Sequence, residues 1–272
     1  MPRTRFRLER PPGPPDFIGV GAEGPGADGW HAALIEHPQI GGPRGRERAL
    51  HFFDAFCARE MHESDIAEYH GHFTRRAGAI SGEWTDRYMC DGWVPPLLRR
   101  AAPDAKLLVL LGDPIERYRT AFAERLAVKV EGKRLIMTDV VDRASHAFQL
   151  ARLGRYYDRD RILVLQHERC RSDPLGEYRR TLRFLGVADD VVPKRVRRAV
   201  ADAGGSALLD RPQPAAPLPT AALWPELEAA LHAALDPEVE GLAATVAGFD
   251  VGLWPNFAHL AHLAHARAGE HA

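Results

Sequence analysis

Short apolar runs alternate along this chain with segments whose apolar residues recur at helical spacing. Phe17, Ile18 and Val20 form the first run, which ends in Gly21, Gly24, Pro25, Gly26 and Gly29. Trp30, Leu34 and Ile35 then share one side of a predicted helix, so the opening unit is strand, glycine-rich loop, helix. Ala49 to Asp54 is short and aromatic enough for a strand edge, Ser64 to His70 reads as a helix, and Ala79 to Thr85 reads as a further strand. Lys106 to Leu111 is a continuous apolar run, the pattern of a parallel strand covered on both faces. It ends at Gly112-Asp113-Pro114, where Asp113 is placed to cap a helix with Pro114 in its first position. Thr138 to Tyr157 is predicted as one helix, Arg161 to Glu168 as a strand with polar groups at its end, and Asp173-Pro174 as the cap of a helix that stops at Gly186. Strands alternating with helices predict an α/β fold with a mainly parallel sheet, whose ligands sit beyond the carboxyl ends of the strands.

Within that frame, residues 15–260 read as one domain. Residues 1–14, with four arginines in the first ten, form a flexible basic leader, and the proline-rich stretch 204–220 is an irregular loop or lid. Ala221 to Val246 returns to helix, and 261–272 complete a C-terminal helix and tail. His259, His262 and His265 share a helical face there, but no acidic or cysteine partner lies nearby in sequence, so no metal site is expected. Gly41 to Arg46 and Lys129 to Arg134 are charged, glycine-containing connections.

The net charge of −1 supplies no general attraction to nucleic acid. No apolar run approaches the ~18 residues of a membrane span. Cys57, Cys90 and Cys170 are an odd number without metal-ligand spacing, as in a reduced, cytoplasmic protein. The expected partner is a small molecule, with neither nucleic acid nor membrane involved.

The glycine-rich loop offers backbone N–H groups at a positive helix end, a cradle for an anion. Its side chains contradict its geometry, because where a phosphate loop adds a cation and hydroxyls this one carries Glu23, Ala27 and Asp28. Four residues stand out as catalytic candidates: Asp28, Glu23, Glu83 and His51. Trp84, Thr85, His146 and Glu168 are candidates for lining a substrate pocket. Trp93 and Trp254 read as packing residues.

Taken together, several stretches resemble the sulfotransferases that use 3′-phosphoadenosine 5′-phosphosulfate (PAPS), in particular bacterial carbohydrate and small-molecule members. PDFIGVG with its glycine loop and IEHPQI is similar to the family's 5′-phosphosulfate loop; LHFFD, GEWTDRYM, APDAKLLVLLGDPIERYRTAF, ILVLQHE and EYRRTLRFLGV follow in the family's order. The resemblance implies a P-loop-like three-layer α/β fold over roughly residues 15 to 260. It also implies that the loop's basic residue falls on Gly24, its Thr donors on Ala27 and Asp28, and the Arg of Arg-Asp-Pro on Gly112. Gly26, Arg117 and Thr120 are what the resemblance leaves to bind PAPS or its product nucleotide. The carbohydrate-type general base falls on Ala49, with Glu47 close by.

Losing one charged phosphate contact costs about 1.5–3 kcal/mol, and losing one donor to transition-state charge about 3–4 kcal/mol. The expectation is therefore a repurposed, PAPS-independent enzyme acting on a small molecule by acid–base chemistry and needing no cofactor. The alternatives are an active sulfotransferase that uses PAPS on a hydroxyl or amine, and a non-catalytic binding or scaffold protein.

Overall fold

The computed structural model describes residues 9–24, 26–45, 49–127, 138–202, 206–209 and 223–262. Seven strands are present among them: β1 (Glu9–Arg10), β2 (Phe17–Gly21), β3 (Ile40–Gly41), β4 (Arg75–Arg76), β5 (Ile80–Trp84), β6 (Lys106–Leu111) and β7 (Ile162–Gln166). Five make a parallel sheet in the order β3-β5-β2-β6-β7, while β1 and β4 form a separate antiparallel pair. The end of the basic leader is thus strand-paired.

The helices are α1 (Ala27–Ile35), α2 (Glu63–Gly71), α3 (Val94–Ala101), α4 (Pro114–Ala127), α5 (Thr138–Ala144), α6 (His146–Leu153), α7 (His167–Ser172), α8 (Pro174–Leu185), α9 (Lys194–Ala201), α10 (Ser206–Leu209) and α11 (Pro225–Thr245). Because side chains alternate along a strand, the apolar run of β6 splits between two cores: Leu107, Val109 and Leu111 face one, Leu108 and Leu110 the other. β2 divides likewise, with Phe17 on one side and Ile18 on the other. Helices cover both faces, which is the α/β architecture the sequence predicts.

Local signals act where expected. The Asp113 carboxylate accepts from the Ile115 and Glu116 N–H groups at the start of α4. Asp173 accepts from the Gly176 N–H at the start of α8, and Gly186 takes φ 81° to end that helix.

Three predicted elements differ. Ala49 to Asp54 is not a strand edge; a 3₁₀ turn, Phe52–Cys57, buries Phe53 and Phe56 on one side, three residues apart. The predicted helix from Thr138 to Tyr157 is two, broken at Ser145, whose φ and ψ of −75° and 63° leave the helical region. β7 runs directly into α7, an extra helix that puts His167 and Glu168 at the sheet's carboxyl edge. Most of 204–220, all of 129–134, Glu47 and His265 lie outside the described residues. Among those described, no helix is long and apolar enough to cross a membrane.

Candidate active site

A cleft of about 400 Å³ opens where the carboxyl ends of β2, β6 and β7 meet. Ala22, Glu23 and Gly24 form one wall; Gly112, Asp113 and the α4 residues Glu116, Arg117, Arg119 and Thr120 form another, and His167, Glu168, Arg171, Pro255 and Asn256 complete it. The loop is tied down by the Ala22 N–H, which donates to the Leu110 carbonyl at 2.9 Å. Gly26 begins α1 at φ 106°, and a Cβ on it would lie 2.8 Å from the His167 ring. Glycine is required there both for its backbone angle and for the approach of β7's edge.

The loop carboxylate is not a bare negative charge. Glu23 pairs with Arg143, delivered by α5, and lies 3.8 Å from the Arg117 guanidinium; Arg117 Nε also donates to the Glu23 carbonyl. Both guanidiniums are largely buried, with side-chain exposures of 12% and 18%. Burial pulls Arg143 below its ordinary pKa, so this charge depends on a counter-ion for its stability. The cationic cradle therefore exists, built from residues far along the chain, and Glu23 sits in it.

Across the cleft, Glu168 accepts from the Asp113 N–H at 3.0 Å and from the Trp254 indole at 2.8 Å. Burial raises its pKa, which those two donors oppose. The other Asp113 oxygen accepts from the side chain of Asn256 at 2.8 Å. Arg119 bridges Asn256 and Glu228 at 2.8 and 2.7 Å, so the Pro255–Asn256 wall is held from two sides. Thr120 turns its hydroxyl to the Glu116 carbonyl of its own helix.

Of the residues singled out from sequence, Glu23, Arg117, Thr120 and Glu168 meet in this cleft and Gly26 lies just beneath it. The others are elsewhere. Asp28 is exposed on the first turn of α1 and does not line the cleft. Trp84 is buried across Gly19, where a Cβ would come within 2.0 Å of the indole, so it packs the core instead of facing the cleft.

Glu83 and Thr85 are fully buried. Glu83 accepts from Tyr69 and Thr85 at 2.7 and 2.8 Å and from Tyr88 at 3.3 Å, a network that braces β5 against the 3₁₀ turn. His51 joins this network only through its backbone N–H, 3.4 Å from the Thr85 hydroxyl; its ring is half exposed and 3.2 Å from Asp54. His146 is buried at the start of α6, its pKa lowered to about 3 by burial and by the nearby Arg117 charge. It does not line the cleft.

The sequence reading missed Arg119, Arg143, Arg171 and Asn256. Arg119 follows Arg117 at i+2 on a predicted helix and Arg171 lies one turn from His167 and Glu168 on α7, whereas Arg143 pairs with Glu23 and Asn256 with Asp113 through contacts that no local pattern encodes.

Known proteins add an independent line. The chain is 30% identical over 221 residues to mouse heparan sulfate glucosamine 3-O-sulfotransferase 6, a match covering 71% of this chain and 61% of the relative. A solved sulfotransferase from Alicyclobacillus acidocaldarius superposes with a TM-score of 0.63 at 21% identity, covering 85% of this chain and 95% of the other. The chain belongs to the sulfotransferase family. A mouse sulfotransferase complexed with PAP shares the fold at a TM-score of 0.52 and 12% identity, over 93% of this chain and 89% of that one. The human 3-O-sulfotransferase 6 is 29% identical over 201 residues, covering 64% of this chain. This family member spans only 61% and 57% of the mouse and human relatives' lengths. No protein-family model matches the chain.

Proposed function

We propose that this sulfotransferase-family chain is an enzyme that handles a small polar molecule in the β2–β6–β7 cleft without PAPS. The observation that carries the reading is the Glu23 carboxylate lodged against Arg143 and Arg117. A loop whose cations already hold an internal anion has no vacancy for a phosphosulfate. An incoming anion must displace Glu23 and leave that carboxylate without its partners, forfeiting about 1.5–3 kcal/mol per charged contact. Gly24 and Gly112 offer no side-chain charge in compensation.

For acid–base work, the cleft favours Glu168 over the carboxylates the sequence reading preferred. Glu168 lines the cleft, and burial raises its pKa above the ordinary carboxylate value, the direction that suits a proton-transferring carboxyl. Its hydrogen bonds from Asp113 and Trp254 fix its orientation, and His167 beside it adds an imidazole ring to the same wall. Asp28 and Glu83 have no access to a cleft substrate, and Glu83 serves the fold.

A second reading, sulfuryl transfer from PAPS to a hydroxyl or amine, is favoured by one observation: Arg117, Arg119, Arg171 and Thr120 line the same cleft. Calorimetry with adenosine 3′,5′-bisphosphate separates the two. No saturable heat is expected; clear micromolar binding overturns the PAPS-independent reading in favour of the second.

A further inference from the structure

His259, which the sequence places without an acidic neighbour, meets one in the fold. His232 and Asp236 stand one helical turn apart on α11, so both side chains project from one face. The 3₁₀ segment Pro255–Leu260 crosses that face and brings His259 to it. One Asp236 oxygen lies 3.1 Å from His232 Nδ1 and the other 2.9 Å from His259 Nε2. One ligand atom from each of the three residues falls within 4.8 Å of the other two.

We propose that His232, Asp236 and His259 form a binding site for a divalent transition-metal ion of the zinc type. Two imidazole nitrogens and one carboxylate oxygen are a ligand set that zinc, cobalt and nickel accept and that magnesium and calcium, which take oxygen ligands, do not. Ligand atoms about 2.0–2.2 Å from zinc in a tetrahedron stand roughly 3.3 Å apart, so the observed spacings need only small side-chain rotations to close around an ion.

The rings are already supported. His232 packs edge-on against Phe257 at 5.5 Å and against His259 at 5.2 Å, and Phe257 is itself buried. Neutral histidines bind through the nitrogen that carries no proton. The nitrogens that face Asp236, Nδ1 of His232 and Nε2 of His259, are the ones that would bind the ion, each ring then carrying its proton on the other nitrogen. A fourth position stays open to water or to His262, an exposed residue three along from His259.

The consequence reaches the cleft. The segment that supplies His259 also supplies Pro255 and Asn256 to the cleft wall and Trp254 to Glu168. A metal joining it to α11 clips that wall in place.

The test uses the whole chain, freed of affinity tag and treated with chelator, titrated with zinc chloride by calorimetry and with cobalt chloride by visible absorption. One zinc ion per chain, a raised melting temperature, and the intense visible bands of four-coordinate cobalt are expected. Separate His232→Gln, Asp236→Asn and His259→Gln variants should each weaken zinc at least about tenfold, while Cys57→Ser and Cys90→Ser leave it unchanged. His259 is the most exposed of the three, so its variant tests the site even where the α11 variants lose stability. No saturable zinc binding, binding undiminished in His259→Gln, or an equal response to magnesium overturns the proposal.

Discussion

Replacing Glu23 by Gln removes one negative charge while keeping the shape of the side chain, and so turns the loop's internal ion cluster into an unoccupied cationic pocket. Arg143 and Arg117 are then left facing a neutral amide. Their mutual repulsion favours any small anion that can enter, and the anion no longer competes with a tethered carboxylate. The released interaction is that of a charge-assisted contact, about 1.5–3 kcal/mol. Glu23 is 34% exposed, and solvent screening brings the figure toward the lower end. At 1.4 kcal/mol per power of ten, the variant should bind adenosine 3′,5′-bisphosphate or inorganic sulfate about ten times more tightly than the parent protein. Calorimetry at low and high salt measures this, and the gain should shrink as salt screens the guanidiniums. Thermal melting provides the control: the variant should melt lower than the parent without anion and recover on adding sulfate, whereas the parent should barely respond. A folded Glu23→Gln protein whose anion affinity matches the parent's would refute the reasoning, because it would mean that Glu23 does not guard the cradle.

Other outcomes follow from the same structure. A Cβ on Gly24 meets Arg117 at 3.5 Å, and one on Gly112 meets His167 at 3.6 Å and Glu168 at 3.7 Å, all ordinary contacts; the pair Gly24→Lys and Gly112→Arg should therefore fold and gain adenosine bisphosphate affinity by calorimetry, roughly ten- to a hundredfold. Gly19→Ala should do the opposite to stability, because its Cβ would lie 2.0 Å from the Trp84 ring; a loss of about 1–3 kcal/mol in urea unfolding is expected. Burial holds His31 near pKa 4 and His146 near 3, both below the ordinary 6.5. The unfolded chain thus binds more protons below pH 6.5, and stability present above that pH is lost on acidification toward 3. His146→Leu should narrow the stability difference between pH 6.5 and pH 5 by about 2 kcal/mol in urea titrations. A double-mutant cycle on Glu23→Gln and Arg143→Ala should return a coupling of about 1–3 kcal/mol, and a value near zero would dissolve the ion pair as an energetic unit.

Local chemistry made much of the architecture readable. β6 coincides with the apolar run Lys106–Leu111 because a strand covered on both faces needs apolar residues at every position. The Asp113 and Asp173 caps and the Gly186 stop are short-range hydrogen-bond and φ requirements, so composition alone exposes them. The Phe52–Cys57 turn was misread because aromatic residues favour strands in general, whereas here Phe53 packs against Tyr69 and Tyr88, and Phe56 packs on Phe53 around the turn. The break at Ser145 was hidden because Gln149 replaces the lost continuity with a side-chain bond to the Asp142 carbonyl, a compensation with no periodic signature. The site was readable as a loop lacking its own cations. That cations arrive from Arg143 on α5, and that Asn256 closes the wall from the far end of the chain, is tertiary information.

The ion cluster also bears on how such a cleft would persist without a phosphosulfate, as the proposed function requires. A pocket shaped for a multiply charged anion carries cations that are unstable without it: two buried guanidiniums repel each other and have lost much of their hydration. Deleting the basic residue at the loop tip removes part of that burden, as Gly24 does here under the family resemblance. Arg117 is less dispensable, because its Nε also fixes the loop backbone through the Glu23 carbonyl. A carboxylate one residue away neutralises what remains, and does so intramolecularly, at no cost in ligand concentration. On the proposed function, the acidic loop and Arg117 are therefore two halves of one arrangement that keeps the loop folded with no anion bound. On the same proposal, the opposite wall, where Glu168 is oriented by Asp113 and Trp254, is the part of the cleft with chemistry to offer.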